Sequence, residues 1–299
     1  MQVIKLKKLD GQEWDHKREN RVNLAQCSDP VSLQQLLDRY WTWHYDDSLA
    51  EIARLLLNAE LNWEGTARAF SPPVESLLSP LGYALDHERV EIREGALRLL
   101  DSTVKVPRGE VLIGKELEPV QVDEFQIGRY PVTNAQYQRF VQETGHRAPK
   151  EWEANAHAEG RGDHPVTWVD TDDAETYASW AGGRLPRFEE WQRAVRGDDD
   201  RLFPWGYEVD KPRCNTAELR AGDTTPVGAF PDGISPFGCY DMLGNVWEWT
   251  STPFDDDDPN FRVVCGGAWY YNHDHSTCIS FDFFSKDYTE FVLGFRIAK

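Results

Sequence analysis

The sequence predicts an α+β chain, with a small α-helical region over residues 1–105 and an irregular mixed domain over residues 106–299. Three observations predict it. Apolar residues recur at helical spacing through the first third. From Val106 onward glycine, proline and tryptophan become frequent, and helical periodicity persists in only two stretches. Aromatic residues make up 12% of the chain, which suits a core built beneath loops.

The elements follow in order. Asp29-Pro30 caps a helix whose stripe is Leu33, Leu36, Leu37, Tyr40 and Trp41. Asp46 and Asp47 open a second, with Leu49, Ile52, Ala53 and Leu56 on one face. Pro72-Pro73 interrupts the chain, Val74, Leu77 and Leu78 continue a short helix up to Pro80, and a last helix carries Val90, Ile92, Ala96, Leu97 and Leu100. Short antiparallel helices of this length resemble HEAT-like repeats, with an unrelated helical bundle as the alternative. Beyond Val106, Thr133-Asn134 caps a helix with Tyr137, Phe140 and Val141, and Asp172-Asp173 caps another with Ala174, Tyr177, Trp180 and Ala181.

The net charge of −19 argues against sequence-independent nucleic-acid binding and against docking on anionic membranes. Five cysteines with no C-x-x-C pair argue against a disulfide framework or a zinc knuckle. No stretch approaches 18 apolar residues, so no membrane span is expected. With no signal-peptide pattern at Met1-Gln-Val-Ile-Lys-Leu-Lys-Lys, the expected location is cytoplasmic.

A series of motifs carries a resemblance. Gly109-Glu-Val-Leu-Ile-Gly114 is followed by Phe125-Gln-Ile-Gly-Arg-Tyr-Pro-Val-Thr-Asn134, then by His164-Pro-Val-Thr-Trp-Val169 and Gly183-Arg-Leu-Pro186 with Glu190-Trp191. Asp241-Met-Leu-Gly-Asn-Val-Trp-Glu-Trp-Thr250, Gly266-Gly-Ala-Trp269 and Leu293-Gly-Phe-Arg-Ile297 complete it. In this order they resemble the formylglycine-generating-enzyme (sulfatase-modifying factor) family. The resemblance implies a C-type-lectin-like irregular fold over about 195 residues. The family's oxidase chemistry implies a cysteine pair between the Gly-Gly strand and the final Gly-Phe-Arg, where two soft thiolates suit copper(I). That interval holds one cysteine here, Cys278, and the pair would fall near Tyr271 and His273. The related sulfoxide-forming hercynine oxygenases imply an H-x-x-x-H-x-E helix for iron, a spacing that His16, His44 and His87 do not have. The resemblance also implies a structural calcium held by the carbonyls of Leu243, Gly244 and Val246 and the carboxylate of Glu248, the alternative being that Glu248 pairs with an arginine.

Residues 270–292 depart from the family pattern. Seven of the 23 are Phe or Tyr, mixed with Asn, Asp, His and Ser. That composition resembles the rewritten segment of variable proteins of diversity-generating retroelements, which share this fold. Only Lys286 and Glu290 lie outside the residues such mutagenesis reaches from Asn codons. Tyr and Phe give contact area at low entropy cost, and the polar residues give adaptable hydrogen bonds. The sequence is therefore read as a non-catalytic binder of a protein or other macromolecule, with no catalytic cofactor. The contact residues expected are Tyr270, Tyr271, Asn272, His273, His275, Phe281, Asp282, Phe283, Phe284, Tyr288 and Phe291. The helical region would serve as tether or assembly element. The alternatives are a divergent metal-dependent oxidase using Cys278 with Cys265 or nearby histidines, and a structural module worked by the helical half.

Overall fold

The computed structural model describes residues 80–85, 90–113, 118–208 and 213–299. The helical stripes expected over residues 33–78 lie outside them. The chain divides into two compact units, the second being Leu97–Lys299. Helix α1 (Pro80–Leu85) begins at Pro80, where the sequence reading ends a helix. A proline at the first turn gives up an N–H that has no partner there anyway. Helix α2 (Val90–Leu100) lies where its stripe predicts.

The second unit opens with two antiparallel hairpin-like pairs. β1 (Thr103–Val106) pairs with β4 (Phe125–Gly128), and β2 (Gly109–Ile113) with β3 (Glu118–Val122). Helix α3 (Asn134–Thr144) starts at Thr133, whose hydroxyl accepts from the Gln136 N–H while the Gln136 side chain answers the Thr133 N–H. It ends at Gly145 in the left-handed conformation. Helix α4 (Thr171–Trp180) is capped by Asp170, two residues before the expected Asp172-Asp173. Asp170 and Asp173 exchange capping bonds, and the Arg147 guanidinium binds both carboxylates.

A third helix, α5 (Phe188–Arg196), has no counterpart in the sequence reading. Its buried face is not purely apolar, because Arg193 and Arg196 lie inward beside Trp191, Ala194 and Val195. Arg193 donates to the carbonyls of Pro107 and Glu110, and Arg196 to that of Leu112, at 2.7 to 3.1 Å. Guanidinium groups thus satisfy the β2 backbone, and the helix's inner stripe reads as charge.

The central sheet runs β7 (Phe281–Ser285), β6 (Asp258–Cys265), β5 (Trp247–Asp255), β8 (Leu293–Phe295). β5 and β8 are parallel and the other pairs antiparallel. Alternation along the strands divides two cores. Trp247, Trp249 and Val264 join the cluster of Tyr137, Phe140, Tyr177 and Phe295. Val263 and Cys265 join Trp191, Met242 and Phe203.

Between the two tryptophans of β5 sits Glu248, fully buried. Arg296, also fully buried, donates to it through Nε (2.6 Å) and Nη2 (2.7 Å), and the indole N–H of Trp191 donates at 2.7 Å. The remaining Arg296 donors reach the carbonyls of Gly128 and Tyr240. Both charges therefore have full partner sets, which is the condition under which a buried pair is tolerated. Arg296→Met is expected to lose about 3–5 kcal/mol of unfolding free energy by leaving Glu248 charged and alone. Adding Glu248→Gln to that variant should return part of the loss, as read by urea denaturation of both variants.

Candidate functional site

The expected contact segment lies on the surface of this frame. Trp269 ends the Gly266-Gly267 turn, where a Cβ on Gly267 would strike Ser276 Oγ and the His275 carbonyl. His273–His275 form one 3-10 turn, β7 supplies Phe281 to Ser285, and residues 286–292 lead into β8. Tyr270, Asn272, His275, Asp282, Phe283 and Tyr288 are exposed, and Tyr271, His273, Phe281, Phe284 and Phe291 are partly so. None of these eleven side chains is fully buried, although Phe281, Tyr271, Phe284 and Phe291 pack against the two cores.

They fall into separate groups. Phe283 stacks on Phe254 with centroids 3.7 Å apart and meets Phe261 edge-on. Phe284 stacks on Tyr288 and touches Trp249. Phe281 packs against Phe188. At the other end Tyr270, Tyr271 and Phe291 gather with Trp269, and Phe291 also meets Trp168. We refer to this last group as the cup. Tyr271 also contacts Trp247 and His275. The His273 Nδ1 and the Thr216 hydroxyl share a hydrogen bond at 3.3 Å, and the His273 backbone N–H donates to Glu218. Sequence reasoning missed Trp168, Trp247 and Trp269, which belong to family-like motifs and look like framework. The available signal was their flanking of the divergent segment.

Trp168 has φ +62, a left-handed conformation that a bulky side chain rarely adopts. Its N–H donates to the Glu290 carbonyl, and the Lys150 ammonium lies 3.6 Å from the centre of its ring.

The thiols of Cys214, Cys239, Cys265 and Cys278 are buried and free. Burial raises the Cys265 and Cys278 pKa values far above the ordinary thiol range, and pushes Cys214 up to about 12. The cross-strand neighbours of Cys265 are Glu248 and Phe281, and both cysteines are free. His164 is buried beside the Thr224 hydroxyl, and burial lowers its pKa to about 3. Among the described residues no three His, Cys, Asp or Glu side chains gather as a metal-binding group. His16, His44 and His87 lie outside the described residues. The calcium set does not fit either, because both oxygens of Glu248 are taken by Arg296 and Trp191. Gly244 serves instead to let the chain pass the Asn215 carbonyl, which a Cβ would strike.

Asp241 lies next to this turn, with φ +53. Burial pushes its carboxyl from its ordinary value of 3.8 up to about 6, against the Gly228 N–H that donates to it at 2.6 Å. A pKa higher in the folded state means that the folded state holds the proton more tightly. The group's stabilising effect is therefore complete below about pH 4 and is lost as the pH rises through about 6.

Residues 90–299 match the sulfatase-modifying factor enzyme 1-like domain. The chain is 35% identical over 331 aligned positions to a hercynine oxygenase of Mycolicibacterium smegmatis, covering 86% of this chain and 74% of that protein. It spans under half the length of two further hercynine oxygenases. Among solved structures, PvdO from Pseudomonas aeruginosa shares the fold at a TM-score of 0.57 and 22% identity, covering 66% of this chain and 93% of that one. Treponema denticola variable protein 1 does so at 0.54 and 18%, covering 66% and 94%. These two show the C-type-lectin-like α+β fold that the motifs imply. The expectation of a chain that is not an enzyme is overturned by the extended identity to a hercynine oxygenase. No helix among the described residues is long and apolar enough to cross a membrane.

Asp241→Asn keeps an acceptor for Gly228 and removes the buried charge. It is expected to raise stability at pH 7.5 by on the order of 1–3 kcal/mol and to flatten the stability profile between about pH 4 and 6, as read by thermal melts across that range. Tyr270→Ala and Phe283→Ala, at exposed positions, should each cost under about 1 kcal/mol by the same melts.

Proposed function

Because the chain belongs to the sulfatase-modifying factor enzyme 1-like family, we propose that it is an oxygen-dependent enzyme of the hercynine-oxygenase kind whose substrate rests against the aromatic cup. The observation that carries this reading is the 35% identity to such an oxygenase over 86% of the chain. The cup supports it as the substrate surface. It gathers partly exposed aromatic rings on a rigid frame, and a non-glycine residue in left-handed conformation is a form of strain that clusters at functional sites.

A metal in this family supplies the activation of oxygen. The described residues do not form a set of three His, Cys, Asp or Glu side chains that would hold one. What they do is bind and orient. The rings of the cup exclude water from one side of a ligand, and the indole of Trp168 offers a face to charge.

A second reading keeps residues 270–292 as a surface for a macromolecular ligand, as in the retroelement variable proteins. The exposure of their aromatic side chains favours it.

The test is oxygen uptake by the full chain loaded with iron(II), given hercynine and cysteine. Uptake with formation of a carbon–sulfur-bonded sulfoxide, seen by mass spectrometry, is expected. No uptake with iron(II) or copper(I), in protein shown by melting to be folded, overturns the reading.

A further inference from the structure

The face of the central sheet that packs on helix α5 continues past the helix. The start of α5 closes on this face through Phe188, whose N–H donates to the Thr252 hydroxyl at 2.9 Å and whose ring meets that of Phe281. Phe283 lies two residues further along β7 and so points to the same side as Phe281. There it stacks on Phe254 of β5, with Phe261 of β6 edge-on at 5.8 Å. Phe254 is 45% exposed and Phe283 39%. Three strands thus present one aromatic group to solvent, and a contiguous apolar group marks an interaction surface where a lone exposed side chain does not. β5 and β6 are joined just beyond it by a turn of Asp256 and Asp257. Four successive carboxylates, Asp255–Asp258, therefore rim the group, the first three of them exposed.

We propose that this end of the sheet docks a basic segment of a partner protein. An apolar side chain of the segment lies on the Phe254–Phe283 stack, and flanking lysines or arginines reach the Asp255–Asp258 turn. The surface is separate from the cup and does not rest on the oxygenase reading. Charge complementarity names the occupant, because the rim of the aromatic group is acidic and favours a cationic partner. Two copies of this chain facing each other here would bring two acidic turns together, which like charge opposes. The contact is made by side chains on the sheet face and not by an added strand. The Lys286 N–H donates to the Asn260 carbonyl, so by the alternation of an antiparallel pair the Phe283 N–H points away from β6. The Asp282 carboxylate accepts that N–H at 2.8 Å and closes the edge of β7 to a further strand at this point.

Fluorescence anisotropy of a short labelled peptide that alternates leucine with lysine, titrated with the full chain, tests this. The peptide should bind, and its counterparts with glutamate for lysine or serine for leucine should each bind about tenfold more weakly. Phe254→Ala and Phe283→Ala should each weaken it about five- to tenfold. Asp256→Asn combined with Asp257→Asn should weaken it about threefold and flatten its salt dependence. Tyr270→Ala should leave it unchanged. A chain of net charge −19 attracts any polycation, so the aromatic variants decide. Equal binding by the unaltered chain and both aromatic variants, in protein shown by melting to be folded, overturns the proposal. So does failure of the peptide to bind. Loss of binding on Tyr270→Ala in place of Phe254→Ala moves the surface to the cup and overturns it as well. Dimerisation of the full chain that Phe283→Ala abolishes, seen by sedimentation, makes a second copy the occupant and overturns the assignment of the partner. Oxygen uptake decides the oxygenase reading and none of these outcomes.

Discussion

The paired charges of Glu248 and Arg296 are the constraint on which the rest of this domain depends. One carboxylate and one guanidinium, both out of water, join the central strand β5 to β8, to helix α5 through Trp191, and to the carbonyls at the end of β4 and before the Asp241 turn. Charges this deep are costly to bury, so each must be met from several sides at once. That requirement fixes where five separate segments can lie. In a domain with three-residue strands and long loops, apolar contact alone would leave those segments free to slide. The two cores then fill in around a frame that polar bonds have already set.

Much of this was legible in the sequence. The helix caps at Thr133 and the stripe of Tyr137, Phe140 and Val141 are local signals, and they hold. Helix α5 was not legible, because Arg193 and Arg196 bury charge against β2 carbonyls and hide the apolar period. The N-cap at Asp170 was displaced because Asp172 and Asp173 also look like caps. Only the bond from Asp170 to the Asp173 N–H separates them. The fate of Glu248 was posed correctly as calcium or arginine. Choosing needed Arg296 to come within reach across 48 residues, which spacing does not report.

The candidate site shows the same division. The divergent segment 270–292 was found from its composition, and the contact residues expected in it are exposed or partly exposed, while Ser276, Thr277, Cys278 and Val292 are buried. Its three tryptophan neighbours were invisible as a group, since Trp168, Trp247 and Trp269 meet the segment only through contacts with Phe291, Tyr271 and Tyr270 made in the folded domain. The inference from missing cysteines to missing catalysis failed for a different reason. The absence of the cysteine pair and of the H-x-x-x-H-x-E spacing was taken for the absence of catalysis, whereas the kinship of the chain is with an oxygenase.

The last residues have a consequence for how the chain becomes a protein. β8 enters the sheet parallel to β5, and Ala298 and Lys299 pair with Arg184 and Gln126. Arg296, the counter-charge to Glu248, arrives in the same short stretch. The ribosome therefore releases nearly the whole domain before the element that closes it exists. Until then β5 has an open edge and Glu248 has no guanidinium. Closure is a late, long-range event, of the kind that makes folding slow and leaves growing chains in need of shelter.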